Sequence, residues 1–146
     1  MAKIETSIVI NRPVEEVFAV VTNVENNPKW SSAFIEAKKT SAGPIGVGTT
    51  WRIVGKLFGQ RIETEQECTE YGPNRKFAQK SKAGPIPVQT QQTFEPVEGG
   101  TRVSIDGTIE PGGFFKLAEP LFANMIKRTV EADFANLKDL MEARAL

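Results

Sequence analysis

Glu63, Glu65 and Glu67 fall on alternate positions, so along an extended chain their carboxylates share one face. They come nearest in this sequence to a divalent-metal site. A hard cation asks for six or more oxygen ligands, and softer metals favour imidazole or thiolate; no His or spaced Asp completes a set here. A solvated strand face is therefore the favoured reading, and no metal is assigned. The chain has no His, one Cys (Cys68) and one Tyr (Tyr71). Cys68 lacks the imidazole that would lower its pKa and reads as a small buried hydrophobe. Tyr71, beside the turn signal Gly72-Pro73-Asn74, reads as a packing residue. The backbone of Gly43-Pro44-Ile45-Gly46-Val47-Gly48-Thr49 could cradle an anion, but no Gly-Lys-Ser/Thr follows. A strand connection is the stronger reading. No catalytic residue and no cofactor are assigned.

A second pattern carries more information. Thr64, Gln66, Gln79, Ser81, Thr90 and Gln92 recur at alternate positions in strand-like stretches that also carry Trp51, Ile53, Phe77 and Phe94. Pairing Ile53 with Ile62 across the turn Lys56-Leu57-Phe58-Gly59 puts Trp51, Ile53, Ile62, Thr64, Gln66 and Cys68 on one face. Arg52, Arg61, Glu63, Glu65 and Glu67 then face solvent, where charge is cheapest. Phe77, Gln79 and Ser81 follow inward, opposite Lys76, Lys80 and Lys82. Val88, Thr90, Gln92 and Phe94 come next, and then Val103, Ile105 and Ile109. So many amides and hydroxyls do not suit a dry core, because each unpaired one costs roughly 1–3 kcal/mol. Either they turn to the open side and satisfy one another, or they dress an apolar cavity and orient a ligand.

The elements that must position these groups are legible from periodicity. Lys3 to Ile10 alternates as a half-buried strand, with Ile4, Ile8 and Ile10 on one face. Pro13 suits a helix start, and Val14, Val17, Phe18 and Val21 make a helical stripe; a second short turn ends near Pro28 and Trp30. Breaks at Ala42–Gly48, Lys56–Gly59, Tyr71–Asn74, Gly84–Pro87 and Glu98–Gly100 then separate about six strands in an antiparallel meander. After Pro111-Gly112-Gly113 the period changes. Leu117, Leu121, Met125, Ile126, Val130, Phe134, Leu137 and Met141 form one face of a helix from Pro120 to Arg144, about 37 Å long. One helix of that length cannot bury its stripe alone, and the curved sheet is the apolar surface available to it. Phe114, Phe115, Leu117, Leu121 and Phe122 cluster where the chain enters this helix. They either cap the end of the sheet, the slightly favoured reading, or form a portal to the cavity. Trp30 reads as core, and Trp51 stays open between core and ligand contact.

Composition sets the outer bounds. The 146 residues are 40% hydrophobic and 25% charged, as in an ordinary globular domain, and one domain over 1–146 is expected. Eighteen basic residues balance eighteen acidic ones, with no basic cluster, so no nucleic-acid partner is expected. No apolar run reaches the roughly 20 residues that span a bilayer, so no integral membrane segment is expected. The charges in Met1-Ala2-Lys3-Ile4-Glu5 do not fit a signal peptide, and a lone Cys fits a cytoplasmic setting.

The chain resembles the START-like (SRPBCC) superfamily, and within it the polyketide cyclase/dehydrase and lipid-transport group. The resemblance runs through Ile8-Val9-Ile10-Asn11-Arg12-Pro13-Val14-Glu15-Glu16-Val17-Phe18, Asn27-Pro28-Lys29-Trp30, Gly46-Val47-Gly48-Thr49, Phe94-Glu95-Pro96-Val97-Glu98-Gly99-Gly100-Thr101-Arg102-Val103 and the closing helix. It implies an α+β helix-grip fold: a seven-stranded antiparallel sheet curved around a long C-terminal helix, with two short helices after the first strand. It also implies a hydrophobic cavity between sheet and helix, and a glycine loop that lies near the cavity mouth in some relatives. The group spans carriers, hormone receptors, cyclases, dehydratases and co-chaperone-like proteins, so the fold locates a pocket and leaves its chemistry open.

The expected function is binding or transport of a small hydrophobic ligand (lipid, isoprenoid or polyketide-like). The expected contacts are Trp51, Ile53, Thr64, Gln66, Phe77, Gln79, Gln92, Phe94, Phe115, Leu121, Phe122 and Met125. A cyclase or dehydratase in the same pocket is the enzymatic alternative. It needs an ionisable group inside, and the assigned faces supply none. A protein-interaction module is the third reading, with no partner identified.

Overall fold

The computed structural model describes residues 2–57, 59–110 and 119–146. Strand β1 (Ala2–Ile10) leads into helix α1 (Val14–Thr22), a 3-10 turn (Val24–Asn26) and the short α2 (Asn27–Trp30). Six strands follow: β2 (Phe34–Lys39), β3 (Thr50–Leu57), β4 (Gln60–Gly72), β5 (Lys76–Ala83), β6 (Val88–Val97) and β7 (Gly100–Ile109). Helix α3 (Glu119–Glu142) closes the fold. The strands form one antiparallel sheet in the order β1-β7-β6-β5-β4-β3-β2. This is the α+β helix-grip architecture, with the two short helices after β1. Among the described residues, no helix is long and apolar enough to cross a membrane.

Local chemistry explains the punctuation. Pro13, at φ −59° and ψ 148°, caps α1 from outside, while Glu15 and Glu16 in the first turn complement the positive helix end. Val17, Phe18 and Val21 are its buried face. At the other end of the chain Arg144 takes φ +56°, and the N–H groups of Arg144 and Ala145 donate to the carbonyls of Met141 and Leu140. That paired closure satisfies the last helical carbonyls and stops α3 at Glu142, two residues short of the expected Arg144.

The β3–β4 hairpin corrects the expected register by two residues. Leu57 pairs with Gln60, so Ile53 lies opposite Thr64 and Gly55 opposite Ile62. Gly59, at φ +77°, allows a turn of two residues where a four-residue connection was expected. A shift of two preserves the alternation of faces, so the inward and outward assignments on these strands survive. Two bulges, one on β5 opposite Glu65/Gln66 and one on β4 between Cys68 and Glu70, interrupt the pairing of β4 with β5. Bulges bend and twist a strand, and here they fall in the middle of the sheet where it must curl around α3.

The space under the sheet is unevenly filled. Ile10, Phe18, Trp51, Phe77, Phe94 and Val103 pack there with Phe134, Leu137 and Met141 from the C-terminal half of α3. Edge-on ring contacts tie this end together: Phe18 with Phe94 at 5.0 Å, Phe18 with Tyr71 at 5.4 Å, and Trp51 with Phe77 at 6.0 Å. Tyr71 is thus a packing residue. A second, smaller cluster joins Ile109 and Phe122, with Ile86, Val88, Ala123 and Ile126 against them. Between the two clusters the interior is hollow.

The N-terminal half of α3 is rotated from the stripe expected there. Phe122 is buried and Ile126 half-buried, whereas Leu121 is 68% exposed and Met125 48% exposed. The two candidate stripes differ by one residue, about 100° around a helix. Packing of Phe122 against Ile109 selects one of them.

Candidate functional site

The hollow is a cavity of about 520 Å³ bounded by the concave sheet, α3 and the corner between α2 and β2. Ile53 from β3, with Ile62, Thr64 and Gln66 from β4, supplies one side of its wall. Gln79 from β5, Val88, Thr90 and Gln92 from β6, and Ile105 and Ile109 from β7 supply the floor. Met125, Ile126, Thr129, Val130, Asp133 and Phe134 of α3 form the roof. Asn27, Trp30, Ser31, Ser32 and Phe34 close the remaining side. Exposed Lys56, Gly59 and Met125 place the mouth between the β3–β4 hairpin and the first half of α3.

Of the expected contacts, Ile53, Thr64, Gln66, Gln79, Gln92 and Met125 come together in this wall. Trp51, Phe77 and Phe94 share the concave face but belong to its packed half, with exposures of 0%, 1% and 4%. Leu137 and Met141 fill the space that a ligand would need there. Phe122 belongs to the small end cluster. Leu121 points to solvent because the helix stripe runs through its neighbour. Phe115 lies outside the described residues, as do Phe114 and Leu117 of the same expected portal. The glycine loop also falls outside the wall. Its Gly48 N–H donates to the Cys68 carbonyl, its Gly46 N–H donates to Thr49 Oγ1, and Val47 is exposed.

Residue types alone did not reveal the corner at Asp133. This carboxylate is 7% exposed and lines the cavity. Its Oδ2 accepts a hydrogen bond from Ser31 Oγ at 2.5 Å, and its Oδ1 accepts from the Ser32 N–H and the Ser32 Oγ, each at 3.0 Å. An ionisable group therefore does stand inside, which corrects the expectation of none. One turn further along α3, Asn136 Nδ2 donates to the Trp30 carbonyl at 3.0 Å. Beside them Asn27 Oδ1 and Trp30 Nε1 are buried without a hydrogen-bond partner. Asp133 escaped detection because one acid in an amphipathic helix reads as a solvent residue, and its partners lie about a hundred positions upstream.

Electrostatics elsewhere are structural. Arg52 Nε donates to Glu63 Oε1 at 2.6 Å on the outer face, and this contact lowers the Glu63 carboxyl pKa. Burial pushes the Cys68 thiol up to about 11, and its Sγ donates to the Glu70 carbonyl. Among the described residues, no three His, Cys, Asp or Glu side chains group to hold a metal ion.

Comparison with known proteins places the chain. The family model described as polyketide cyclase / dehydrase and lipid transport matches residues 1–142. The chain belongs to that family. No curated protein matches it in sequence. A Thermus thermophilus protein of known structure shares the family fold with a TM-score of 0.85, at 20% identity over 99% of both chains. The Zhui aromatase/cyclase of Streptomyces sp. R1128 superposes with a TM-score of 0.77, at 13% identity over 99% of this chain and 95% of that one. The di-domain aromatase/cyclase StfQ of the steffimycin biosynthetic pathway gives a TM-score of 0.80 at 14% identity, covering 99% of this chain and 52% of that one. At such identities the likeness shows the fold. Family membership and the mostly apolar cavity together support a hydrophobic-ligand-binding site of the START-like type.

Proposed function

We propose that this protein binds or carries one small hydrophobic molecule (a lipid, isoprenoid or polyketide-like compound) in the cavity between the sheet and α3. The observation that carries this reading is a 520 Å³ hollow with aliphatic walls and a few amide and hydroxyl groups, in a protein whose other end is well packed. Affinity would come mainly from apolar burial. Removing about 300 Å² of ligand surface from water yields roughly 7 kcal/mol before the costs of ordering. Thr64, Gln66, Gln79 and Gln92 would set orientation. The test uses the neutral fluorophore N-phenyl-1-naphthylamine, with native mass spectrometry for any copurified ligand. Saturable one-to-one binding, weakened about tenfold by Val88→Phe with the fold intact, supports the reading. No saturable binding and no copurified mass would sink it.

A second reading, a cyclase or dehydratase working in the same cavity, has one specific observation behind it: the Asp133 carboxylate in the wall. Two of the similar structures are aromatase/cyclases by name. Folding a reactive chain into one shape supplies much of such a reaction, and a positioned carboxylate could accept a proton. Mass change of a bound poly-β-keto thioester, lost in Asp133→Asn, would favour this reading over simple carriage.

A further inference from the structure

We infer that the ligand carries a neutral hydroxyl group, alcohol or phenol, and that Gln79 and Gln92 together recognise it. This rests on the reading of the cavity as a ligand site. Gln79 is 7% exposed, and its Nε2 is buried without a hydrogen-bond partner; Gln92 Oε1 is likewise buried and unpartnered. One is a donor and the other an acceptor, and both side chains line the cavity. The strand register pairs Phe77 with Gln92 and Gln79 with Thr90, so the two glutamines are diagonal neighbours on the concave face. Diagonal pairs sit about 7–8 Å apart at Cα, close enough for two carboxamides to meet across one oxygen atom.

A hydroxyl is the smallest neutral group that both donates and accepts. It takes a hydrogen bond from one amide and gives one to the other. Turning both carboxamides by half a rotation exchanges donor and acceptor, and a hydroxyl serves that arrangement equally well. A ketone or ether accepts only and would leave Gln92 Oε1 orphaned. A carboxylate also accepts only, and it would bring a charge without a counter-ion. Among the described wall residues only Lys56 and Asp133 carry charge; Lys56 is exposed at the mouth, and Asp133 has the wrong sign. An orphaned pair of this kind costs the ligand-free protein stability that a matching ligand restores.

The test compares naphthalene, 2-naphthol and 2-naphthoate at pH 7 by fluorescence or calorimetric titration. The wild type should bind 2-naphthol about tenfold more tightly than naphthalene, and 2-naphthoate more weakly than either. Gln79→Leu should abolish the preference for naphthol over naphthalene, and Gln92→Leu should do the same where Gln79→Leu fails to fold. Equal affinity for naphthol and naphthalene, tighter binding of naphthoate, or a preference that survives both substitutions overturns the inference. N-phenyl-1-naphthylamine separates the two levels of argument. If it binds while naphthol gains nothing over naphthalene, only the hydroxyl inference falls. If neither it nor any of the three naphthalenes binds, the cavity reading falls as well.

Discussion

Asp133, in the C-terminal half of α3, accepts the Ser31 hydroxyl at 2.5 Å across 102 positions of sequence. With the two contacts from Ser32 it fastens the helix to the corner after α2. Asp133→Ala removes the acceptor and leaves the Ser31 hydroxyl buried without it. Chemical denaturation should show a loss of about 2–3 kcal/mol, and Asp133→Asn, which keeps one acceptor oxygen, should lose less. A change below about 0.5 kcal/mol for the alanine variant would mean the contact is incidental.

Glu142 and Lys138 make the corresponding fastening at the far end of α3. Glu142 Oε2 accepts from Lys138 Nζ at 2.6 Å and from the Asn11 N–H at 2.9 Å, and Lys138 also donates to the Val9 carbonyl at 2.7 Å. The lysine contact first, and then the Asn11 N–H, hold the Glu142 carboxyl below its ordinary value of 4.5. A depressed carboxyl stabilises the folded state fully above the unfolded pKa and loses that contribution as pH falls through the folded one. The stability gap between wild type and Glu142→Gln should therefore be present at pH 7, shrink below pH 4.5 and narrow in high salt. A gap that widened on acidification would reverse the assignment.

Gly100 opens β7 where the chain passes close to the end of β1. A Cβ there would stand 2.2 Å from the Ile10 carbonyl oxygen and 2.9 Å from Asn11 Cα, both rigid backbone atoms. Gly100→Ala should cost about 3 kcal/mol or more and lower the yield of folded protein. Thermal unfolding of the purified variant measures it, and a wild-type midpoint would show that the hairpin shifts aside freely.

Gln79→Leu should raise the stability of the ligand-free protein by about 1 kcal/mol, because it removes a buried donor with no partner. A stabilising substitution in a binding wall marks a residue kept for something other than folding. Loss of stability instead would show that the amide is satisfied in solution.

Cys68, fully buried and with its thiol pushed up to about 11, should resist aromatic disulfide reagents at pH 8 until the protein unfolds. Its modification rate should follow the denaturant-dependent unfolding rate. Rapid labelling of the native protein would place this strand nearer solvent.

Features of this fold that depend on neighbouring residues in the chain are legible in the sequence, and those that depend on distant ones are not. Alternation along β3 to β7 marked Ile53, Thr64, Gln66, Gln79 and Gln92 as inward, because a period of two is local and survives a register error of two. Three properties were not local. Which part of the concave face is packed depends on where Leu137 and Met141 come to rest, so Trp51, Phe77 and Phe94 could not be separated from the cavity wall by pattern. The choice between Leu121 and Phe122 likewise depends on Ile109 across the gap. Asp133 is the clearest case, since nothing within its own helix distinguishes it from the acids that face water.

The strand order carries a consequence for how the molecule comes into being. β1 is made first, yet its neighbour in the sheet is β7, which follows roughly a hundred residues later. During synthesis the first strand must wait, unpaired, until nearly all of the meander has emerged. Closing so long a loop is entropically slow, which argues for assembly in milliseconds to seconds rather than microseconds, with β1 docking among the final events.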